Sequence, residues 1–431
     1  MAQFSFLVNA RPSTLSREFL NGMYAGGILF PPDRAAAATV AALAGPLRRR
    51  FVLADNGAYD TIGKIAASLP PSADNAARVK AVRTAAGAVD PNSQLAEQLA
   101  VRPDAVIGPE DITLACWLRA GVGETDLVQR RSELRRRNRS VARRGLTMQA
   151  AHPELTVYTV PSAHDYDSAF DAGQALGDTG VRAVAMGFGA FMADDSWTTR
   201  IKYGGRWLPL PQALPMRYLR TALVVRGFFD GWAAGGSAAP DRFHFLGLGA
   251  PVMLPLSAYA ARSVRSVTYD ATSPIKDAAQ GTLYVSEPAK LKVRTWNVLE
   301  RMVLDPAHRW NCPCQFCRAF CLNHPFDEAR IQMLASRSRP LTAADLRVGR
   351  VAAQAVPLFA VGPGPLGRAA EQARAGHNHW TVGLTLRRLS AAVDLRAAAA
   401  ADVAAYVANA GAAHFGQSVA MAWDLVSAGN A

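Results

Sequence analysis

The sequence predicts an α/β protein built on a closed (β/α)8 barrel. Eight short runs of β-forming residues recur before residue 300, and each is followed by a longer stretch of helical character. Most of these runs are apolar throughout, which is typical of strands that are buried on both faces of a parallel sheet. Eight such strands with crossover helices favour closure into a barrel, and a doubly wound open sheet is the alternative.

In chain order, the predicted strands occupy residues 4–8, 27–30, 51–54, 105–108, 155–160, 183–187, 243–248 and 266–269. Predicted helices between them include residues 35–43, 92–100 and 132–144. The barrel is therefore assigned to residues 1–300, and the pattern changes beyond them. Residues 301–385, which contain four of the five cysteines, are predicted to form a zinc-binding subdomain. The Ala-rich residues 386–431 are predicted to form C-terminal helices that pack on the barrel.

Polar residues and glycines lie at the ends of several predicted strands. Asp55 follows the third strand, Glu110 and Asp111 follow the fourth, and Asp270 follows the eighth. Glycine pairs lie in the same position after two others, at residues 187 and 189 and at residues 247 and 249. One aspartate there is often a helix cap. Active sites of (β/α)8 barrels lie at the carboxyl ends of the strands, so the repeated pattern predicts one at this face.

A cysteine cluster predicts a metal site. Four of the five cysteines lie between residues 312 and 321, and Cys312, Cys314 and Cys317 fall within six residues, with Pro313 turning the backbone. Three thiolates need a fourth ligand to complete a tetrahedral zinc site, and histidine is the usual choice. The candidates are His324, His377 and His379. Four protein ligands leave no open position, so the predicted Zn2+ is structural.

The charge balance favours an anionic partner. The chain has 47 Lys and Arg against 34 Asp and Glu, a formal net charge of +13, which favours nucleic acid. Eight arginines between residues 130 and 144 fall on one predicted helix and are candidate phosphate ligands, although a solvated helix surface explains them equally well.

Long apolar runs and a secretory leader are both missing from the sequence as given. No run of eighteen apolar residues predicts a membrane span. The first residues lack the charged start and apolar core of a signal peptide, and the cysteine count is odd. These features favour a cytoplasmic protein without membrane contact and disfavour a disulfide framework.

Five stretches, taken in order, resemble the tRNA-guanine transglycosylase superfamily, zinc-bearing (β/α)8 enzymes that exchange guanine for a 7-deazaguanine base. They are Leu53-Ala54-Asp55-Asn56-Gly57-Ala58-Tyr59, Met186-Gly187-Phe188-Gly189, Leu246-Gly247-Leu248-Gly249-Ala250-Pro251, Tyr269-Asp270-Ala271-Thr272-Ser273-Pro274, and the three cysteines with the later His377-Asn378. The His-Asn pair occurs in the family's zinc site, so the resemblance favours His377 as the fourth ligand over His379 and His324.

The resemblance implies roles for the barrel-end residues. It makes Asp270 the nucleophile that attacks the sugar and Asp55 the general acid and base, a pairing that suits displacement through a covalent intermediate. Asp111, with Glu110, would accept hydrogen bonds from guanine. Gly187, Phe188 and Gly189 would let a flat base approach closely, with Phe188 or Met186 stacking on it.

Departures from the family pattern favour its DNA-modifying branch, which inserts a base such as preQ0 into DNA. The family's Gln-Gly-Gly segment is replaced by Val160-Pro161-Ser162-Ala163, and its basic segment after the nucleophile by residues 275–281. The 59 residues between Cys317 and His377 form a much longer insertion than in the family.

The predicted function is therefore replacement of guanine in DNA by a 7-deazaguanine base, with DNA, the free base and possible accessory DNA-opening proteins as partners. The alternatives are the same chemistry on tRNA, or an inactive zinc-bearing protein that binds nucleic acid.

Overall fold

A computed structural model describes residues 2–9, 26–31, 50–69, 74–90, 94–192, 194–236, 238–285, 292–337, 342, 344, 349–410 and 412–428. These residues group into two compact units. The first takes its members from residues 2–9, 26–271 and 386–428, and the second from residues 272–385. The predicted domain boundaries at residues 300 and 385 stay predictions.

The predicted (β/α)8 barrel is confirmed. Eight parallel strands close in the order β1-β10-β9-β6-β5-β4-β3-β2. They are β1 Gln3–Asn9, β2 Gly27–Phe30, β3 Phe51–Ala54, β4 Ala105–Glu110, β5 Thr156–Val160, β6 Ala183–Gly187, β9 Arg242–Leu246 and β10 Ser266–Asp270. Glu110 and Asp270 are the last residues of their strands rather than the first loop residues, because Glu110 still pairs with Val160 and Asp270 with Leu7.

Helices alternate with the barrel strands along the first unit. In chain order they are α1 Ala58–Ala67, α2 Asn75–Gly87, α3 Leu95–Ala100, α4 Thr113–Arg119, α5 Glu124–Gln129, α6 Arg131–Ala151, α7 Tyr166–Gly177, α8 Gly189–Met192, α9 Met216–Ala234 and α10 Met253–Ala260. The predicted helix at residues 132–144 lies within α6, and the one at 92–100 begins at Leu95 in the described part. The predicted helix at residues 35–43 lies outside the described residues.

An antiparallel hairpin of β7 Trp197–Tyr203 and β8 Arg206–Pro215 interrupts this alternation between α8 and α9. After it, α9 returns to pack against α7 almost backbone to backbone. A Cβ on Gly231 would lie 1.9 Å from the Phe170 carbonyl oxygen, and one on Gly173 would lie 2.0 Å from that of Phe228. Only glycine allows this approach, so these helices lie close on the barrel wall.

The interior of the barrel is mostly apolar. One buried cluster takes side chains from six strands, namely Leu7, Leu29, Leu53, Ala105, Ile107, Tyr158, Val160, Ala183 and Ala185. Two polar side chains lie among them: the His244 ring lies 6.0 Å from the Tyr158 ring, and Thr268 pairs with His244 across β9 and β10. A polar pair inside an apolar barrel must find its partners there.

The C-terminal helices α17 Leu395–Asn409 and α18 Ala413–Ser427 pack on the barrel helices. Trp423 of α18 lies against Tyr259 of α10, with ring centroids 5.2 Å apart. Ser418 donates a hydrogen bond of 2.8 Å to the Pro215 carbonyl oxygen at the start of α9. The predicted C-terminal helices are thus confirmed.

The second unit has its own core. It contains α11 Ser273–Ala279, β11 Thr282–Tyr284, β12 Lys292–Arg294, α12 Thr295–Leu304, α13 Gln315–Asn323, α14 Glu328–Ala335, α15 Gly349–Ala355 and the 3-10 turn Pro357–Phe359. Helix α16 Pro365–Ala391 belongs to this unit up to Thr385. Cys314 and Cys317 are buried in its core beside Leu358 and Phe359. Within the described residues, no helix is long and apolar enough to cross a membrane.

Candidate active site and metal centre

Asp270 is the most firmly held carboxylate at the barrel mouth. It ends β10 and is only 4% exposed. The Asn9 side-chain amide donates a 2.7 Å hydrogen bond to Oδ2, and the Gly247 backbone N–H donates a 2.9 Å bond to Oδ1. Gly247 has a φ of 74°, a left-handed conformation that suits glycine and turns its N–H towards the carboxylate. Asp270 is therefore oriented from both neighbouring strands.

Asp55 follows β3 directly and is partly buried. Its backbone N–H donates to the Phe30 carbonyl oxygen at 2.6 Å, and its Oδ1 accepts a 2.8 Å bond from the Asn56 N–H. Burial raises the pKa of Asp55 to about 7, and repulsion from the Asp270 carboxylate adds to the shift. The two predicted catalytic carboxylates therefore interact electrostatically across the mouth, and Asp55 can hold or release a proton near neutral pH.

Glu110 is a second protonatable carboxyl beside Asp55. Asn56 links them: its side-chain amide donates to Glu110 Oε2 at 3.2 Å and to the Gly108 carbonyl oxygen at 3.3 Å. Burial raises the pKa of Glu110 to about 7, against the Asn56 hydrogen bond and with added repulsion from Asp55 and Asp111. A hydrogen-bonding surface of Asp55, Asn56 and Glu110 thus lines one side of the mouth.

Asp111 is committed to the protein itself. Its Oδ2 accepts a 2.8 Å hydrogen bond from Arg137 Nη1, and its Oδ1 accepts a 3.0 Å bond from the Thr113 N–H at the start of α4. Burial disfavours its charge, but these bonds outweigh burial and hold the pKa of Asp111 below its usual value. Of the two carboxylates predicted to recognise the base, Asp111 is therefore the one that an arginine of α6 neutralises.

The glycine-rich turn after β6 lies close to the turn after β9. Gly187 is exposed, and a Cβ on Gly247 would lie 3.1 Å from the Gly189 backbone, so the two turns approach closely. The Phe188 ring is fully buried, with its centroid 6.0 Å from Phe191 and 5.4 Å from Phe245. Met186 is also buried. The predicted stacking role therefore does not suit either side chain in this conformation, whereas the backbone of Gly187 is accessible.

Three residues of the mouth escaped sequence reasoning. Asn9 ends β1. The search for polar residues at strand ends, which identified the aspartates, would have found Asn9 if it had included amide side chains. Asn56 follows Asp55 in the chain, and its link to Glu110 depends on the neighbouring strand. His244 lies inside the strand run Arg-Phe-His-Phe-Leu, where its only signal is a polar side chain at an inward-facing position. Its Nε2 lies 3.3 Å from Asp270 Oδ1.

The structure brings together the four predicted metal ligands Cys312, Cys314, Cys317 and His377, whose ligand atoms all lie within 4.8 Å of one another. The His377 Nδ1 lies 3.2 Å from the Cys312 sulfur, 3.5 Å from that of Cys314 and 3.6 Å from that of Cys317. Zinc–sulfur and zinc–nitrogen bonds of about 2.3 and 2.0 Å in a tetrahedron put these atoms about 3.6 Å apart. The group can therefore hold a metal ion, and it is consistent with zinc.

Hydrogen bonds around the cluster orient its ligands. His377 Nε2 lies 2.7 Å from the Tyr284 carbonyl oxygen, so its proton is held there and the Nδ1 lone pair faces the sulfurs. The Trp310 indole N–H donates to the Cys317 sulfur at 3.4 Å. Hydrogen bonds from Cys314 and Cys317 pull the pKa of Cys312 well below its usual range, towards the thiolate that a metal needs.

The alternative fourth ligands lie elsewhere. The His379 Nδ1 is bonded to the Ala375 carbonyl oxygen at 2.7 Å, and His324 packs its ring on Phe320. Neither belongs to the cluster, although His379 is only two residues from His377. In a helix, residues two apart point in different directions, which is why spacing alone left the choice open.

Six of the seven arginines of α6 fall into two sets. Arg131 is bonded to Asp171 at 2.5 and 2.9 Å, Arg135 to Gln174 at 3.3 Å, and Arg137 to Asp111 and Glu133. Arg136, Arg139 and Arg143 are exposed, and their spacing puts them on one helix face. This exposed stripe is the part of α6 best suited to phosphate binding.

No model of a known protein family matches this chain, and no curated protein matches it. The resemblance to the transglycosylases therefore stays a prediction that rests on the five stretches quoted above.

Replacing Cys317 with serine should remove zinc from the purified protein and lower its unfolding temperature by roughly 5–10 °C, since a structural metal contributes several kcal/mol. Metal content by mass spectrometry and a thermal melt measure the two effects. Cys321→Ser, on the same helix but outside the cluster, is the matched control. Full zinc occupancy in Cys317→Ser, or equal zinc loss in the control, would contradict the assigned ligands.

The pKa of Asp55 predicts a pH-dependent stability. Its folded pKa of about 7 lies above the unfolded value of about 3.9, so the unfolded chain releases a proton that the folded protein keeps. This side chain therefore costs stability progressively as the pH rises from about 4 to about 7. Asp55→Asn should melt like the wild type below about pH 4 and at a higher temperature above about pH 7.

The exposed Asp60→Asn, on the adjacent helix, is the control for the loss of one carboxylate, and melting curves across the same pH range measure both variants. A gap between Asp55→Asn and the wild type that does not change with pH would show that Asp55 lacks the raised pKa.

Proposed function

We propose that this protein is a base-exchange transglycosylase that replaces guanine in DNA with a 7-deazaguanine base such as preQ0. One observation supports this above the others: Asp270 and Asp55 lie at one barrel mouth in contrasting environments. Asp270 is held by donors from two neighbouring strands, while the pKa of Asp55 is raised to about 7 by burial and by Asp270. Two carboxyl groups in such different environments suit the roles of one nucleophile and one acid–base group.

In the first half-reaction, an Asp270 carboxylate oxygen forms a bond to C1′ of the target nucleotide while the C1′–N9 bond breaks. The bonding pair leaves with guanine, and the protonated Asp55 supplies the proton that neutralises it. The product is an ester between Asp270 and the deoxyribose, as in retaining glycosidases.

In the second half-reaction, the incoming base takes guanine's place. Asp55, now ionised, accepts the proton that this base loses as its nitrogen attacks C1′. The ester bond breaks, and its electron pair returns to Asp270. Two inversions at C1′ retain the sugar configuration, and both carboxyl groups end in their starting states.

Glu110 and Asn56 are the side chains best suited to read the base. Both lie beside Asp55: Glu110, with its pKa near 7, offers an acceptor when ionised, and Asn56 holds it there by donating to Glu110 Oε2. The exposed Gly187 lets a flat ring approach the backbone. Asp111 is already hydrogen-bonded to Arg137. To help recognise the base, it would have to accept a further hydrogen bond through another lone pair of its carboxylate.

The choice of DNA rests on the replaced loop segments, and the exposed stripe of α6 supports a nucleic-acid partner in general. Arg136, Arg139 and Arg143 are exposed on one face of the helix, where their guanidinium groups can contact phosphates. The target base must leave the stack before it can reach a buried Asp270. Single-stranded DNA, or duplex opened by an accessory protein, is therefore the expected substrate.

Zinc, when bound by Cys312, Cys314, Cys317 and His377, would supply structural cross-linking of the second unit. All four ligand positions come from the protein, so no coordination site is left for substrate or water.

The direct test is a base-exchange assay. Labelled guanine and preQ0 are offered separately, with single-stranded DNA, duplex DNA or bulk tRNA as acceptor. We expect incorporation into DNA, greatest with single strands, and its loss in Asp270→Asn, because an amide is a poor nucleophile. Asp241→Asn is the matched control, since Asp241 lies at the amino end of β9 and pairs with Arg182.

Incorporation into tRNA alone would assign the same chemistry to the other polymer. Incorporation that persists in Asp270→Asn would remove the assigned nucleophile, and no incorporation by zinc-loaded protein into any acceptor would overturn the proposal.

A further inference from the structure

The β7–β8 hairpin extends one of the loops at the barrel mouth. It lies between the carboxyl end of β6 and α9, the position at which a (β/α)8 barrel carries the loops of its active-site face. Helix α8 and a short connection join it to Gly189, whose backbone would lie 3.1 Å from a Cβ on Gly247. The Gly247 N–H donates to Asp270. The hairpin therefore begins beside the turn that holds the proposed nucleophile.

Contacts at the tip fix the hairpin on the barrel wall. Gly204 and Gly205 make the turn with φ values of 57° and 78°, as a two-residue hairpin turn requires. The Gly205 N–H donates to Asp167 Oδ1 at 3.0 Å, and Lys202 Nζ lies 2.9 Å from Oδ2 of the same carboxylate. The Ile201 side chain is buried. A lone two-stranded hairpin is only marginally stable, so these contacts hold it in place.

The base of the hairpin is held by helix α18. The Trp197 ring packs against His414, with ring centroids 4.6 Å apart. The Gln212 side-chain amide donates a 2.5 Å hydrogen bond to the Gln417 side-chain oxygen. Both ends of the hairpin are therefore anchored to the first unit, and the surface between them is presented in a fixed position.

This surface is both aromatic and positively charged. Trp207 is 44% exposed, and the Arg200 guanidinium lies over its ring, 4.5 Å from the centroid. Arg200 and Arg206 are exposed, and in the described part of the chain neither forms an ion pair with a carboxylate. Residues 197–215 contain three cationic side chains and no acidic one. The hairpin thus attracts anions and offers a flat apolar face beside them.

Unpaired nucleic acid has the chemistry that matches this surface. Its bases stack on aromatic rings and on guanidinium groups, and its phosphates bind cations that lack a carboxylate partner. Addition of a strand from another protein is disfavoured along β8, because Pro209 and Pro211 have no N–H to offer it. Side chains rather than backbone groups therefore make the contacts.

We propose that the hairpin binds the single strand of DNA beside the target guanine, with one base stacked on Trp207 and a phosphate on Arg206. It rests on the proposed function in that the target base of this strand is taken to enter the barrel mouth. A nucleotide that leaves the stack deprives its neighbour of a stacking partner, and Trp207 with Arg200 replaces that partner. The hairpin thus stabilises the opened strand next to the site of exchange.

Binding of a fluorescent single-stranded oligonucleotide with one guanine tests the stacking contact. Anisotropy measures Kd for the full chain. Trp207→Ala should raise Kd by roughly 5- to 100-fold, as expected for one lost base stack, and Trp207→Phe should keep most of the affinity. Trp197→Ala is the matched control, because the Trp197 ring packs on α18 at the other end of the hairpin. Unchanged Kd in Trp207→Ala, or an equal loss in the control, would overturn the proposal.

The salt dependence of the same Kd tests the phosphate contact. Arg206→Gln should lower the slope of log Kd against log salt concentration by roughly 0.7, the value for one phosphate contact on a single strand. Trp207→Ala should leave the slope unchanged, because stacking releases no counterion. Equal slopes in Arg206→Gln and wild type would contradict the phosphate contact.

A second oligonucleotide tests which bases the ring contacts. It keeps every phosphate but carries abasic sites on both sides of the guanine. The wild type should bind it as weakly as Trp207→Ala binds the intact strand, and Trp207→Ala should cause no further loss. A full further loss in Trp207→Ala would show that the ring contacts some other part of the strand and would contradict the assignment.

Binding and exchange distinguish this proposal from the proposed function. Base exchange into DNA with an unchanged Kd in Trp207→Ala would remove the stacking surface and leave the transglycosylase proposal intact. Binding that depends on Trp207, without incorporation of any base, would instead leave the surface and remove the proposed function. Binding of single-stranded RNA alone would overturn the assignment to DNA. The melting temperatures of the variants separate each result from unfolding.

Discussion

Closure of the parallel barrel is the constraint on which the candidate active site depends. Asp55 and Asp270 are 215 residues apart in the chain. Closure nevertheless puts the carboxyl ends of β3 and β10 on the same rim of the barrel. The parallel ladder between β1 and β10 pairs Leu7 with Asp270 and so brings Asn9, two residues on, to the aspartate. Without closure Asp270 would lose the Asn9 donor and the neighbouring charge of Asp55.

The same closure makes the mouth electrostatically costly. Asp55, Glu110, Asp111 and Asp270 all lie at strand ends, and burial disfavours the charged forms of the first three. These four carboxyl groups are stabilised in three different ways. Asp111 pairs with Arg137, Asp270 receives backbone and side-chain donors, and Asp55 and Glu110 keep raised pKa values near 7. The unequal treatment is what gives one mouth both a proton reservoir and an oriented carboxylate.

The barrel was accessible from the sequence because continuously apolar runs are a local signal, and their positions match the observed strands to within about two residues. The metal ligands could be predicted from the sequence because three of them fall within six residues of the chain. Contacts that depend on neighbouring strands were not accessible: nothing in the sequence pairs Asn9 with Asp270 or Arg137 with Asp111. The burial of Phe188 escaped for the same reason, since an aromatic after a strand can face either the mouth or the wall.

The Cys3His cluster belongs to the second unit and leaves no ligand position open, which agrees with a structural rather than a catalytic metal. Chemistry is therefore expected at the barrel mouth. In the proposed reaction, Asp270 forms the bond to the sugar. Mass spectrometry of peptides from a complex trapped on single-stranded DNA tests this most directly. A deoxyribosyl adduct on Asp270 is the predicted result, and an adduct on Asp55 would contradict the assignment.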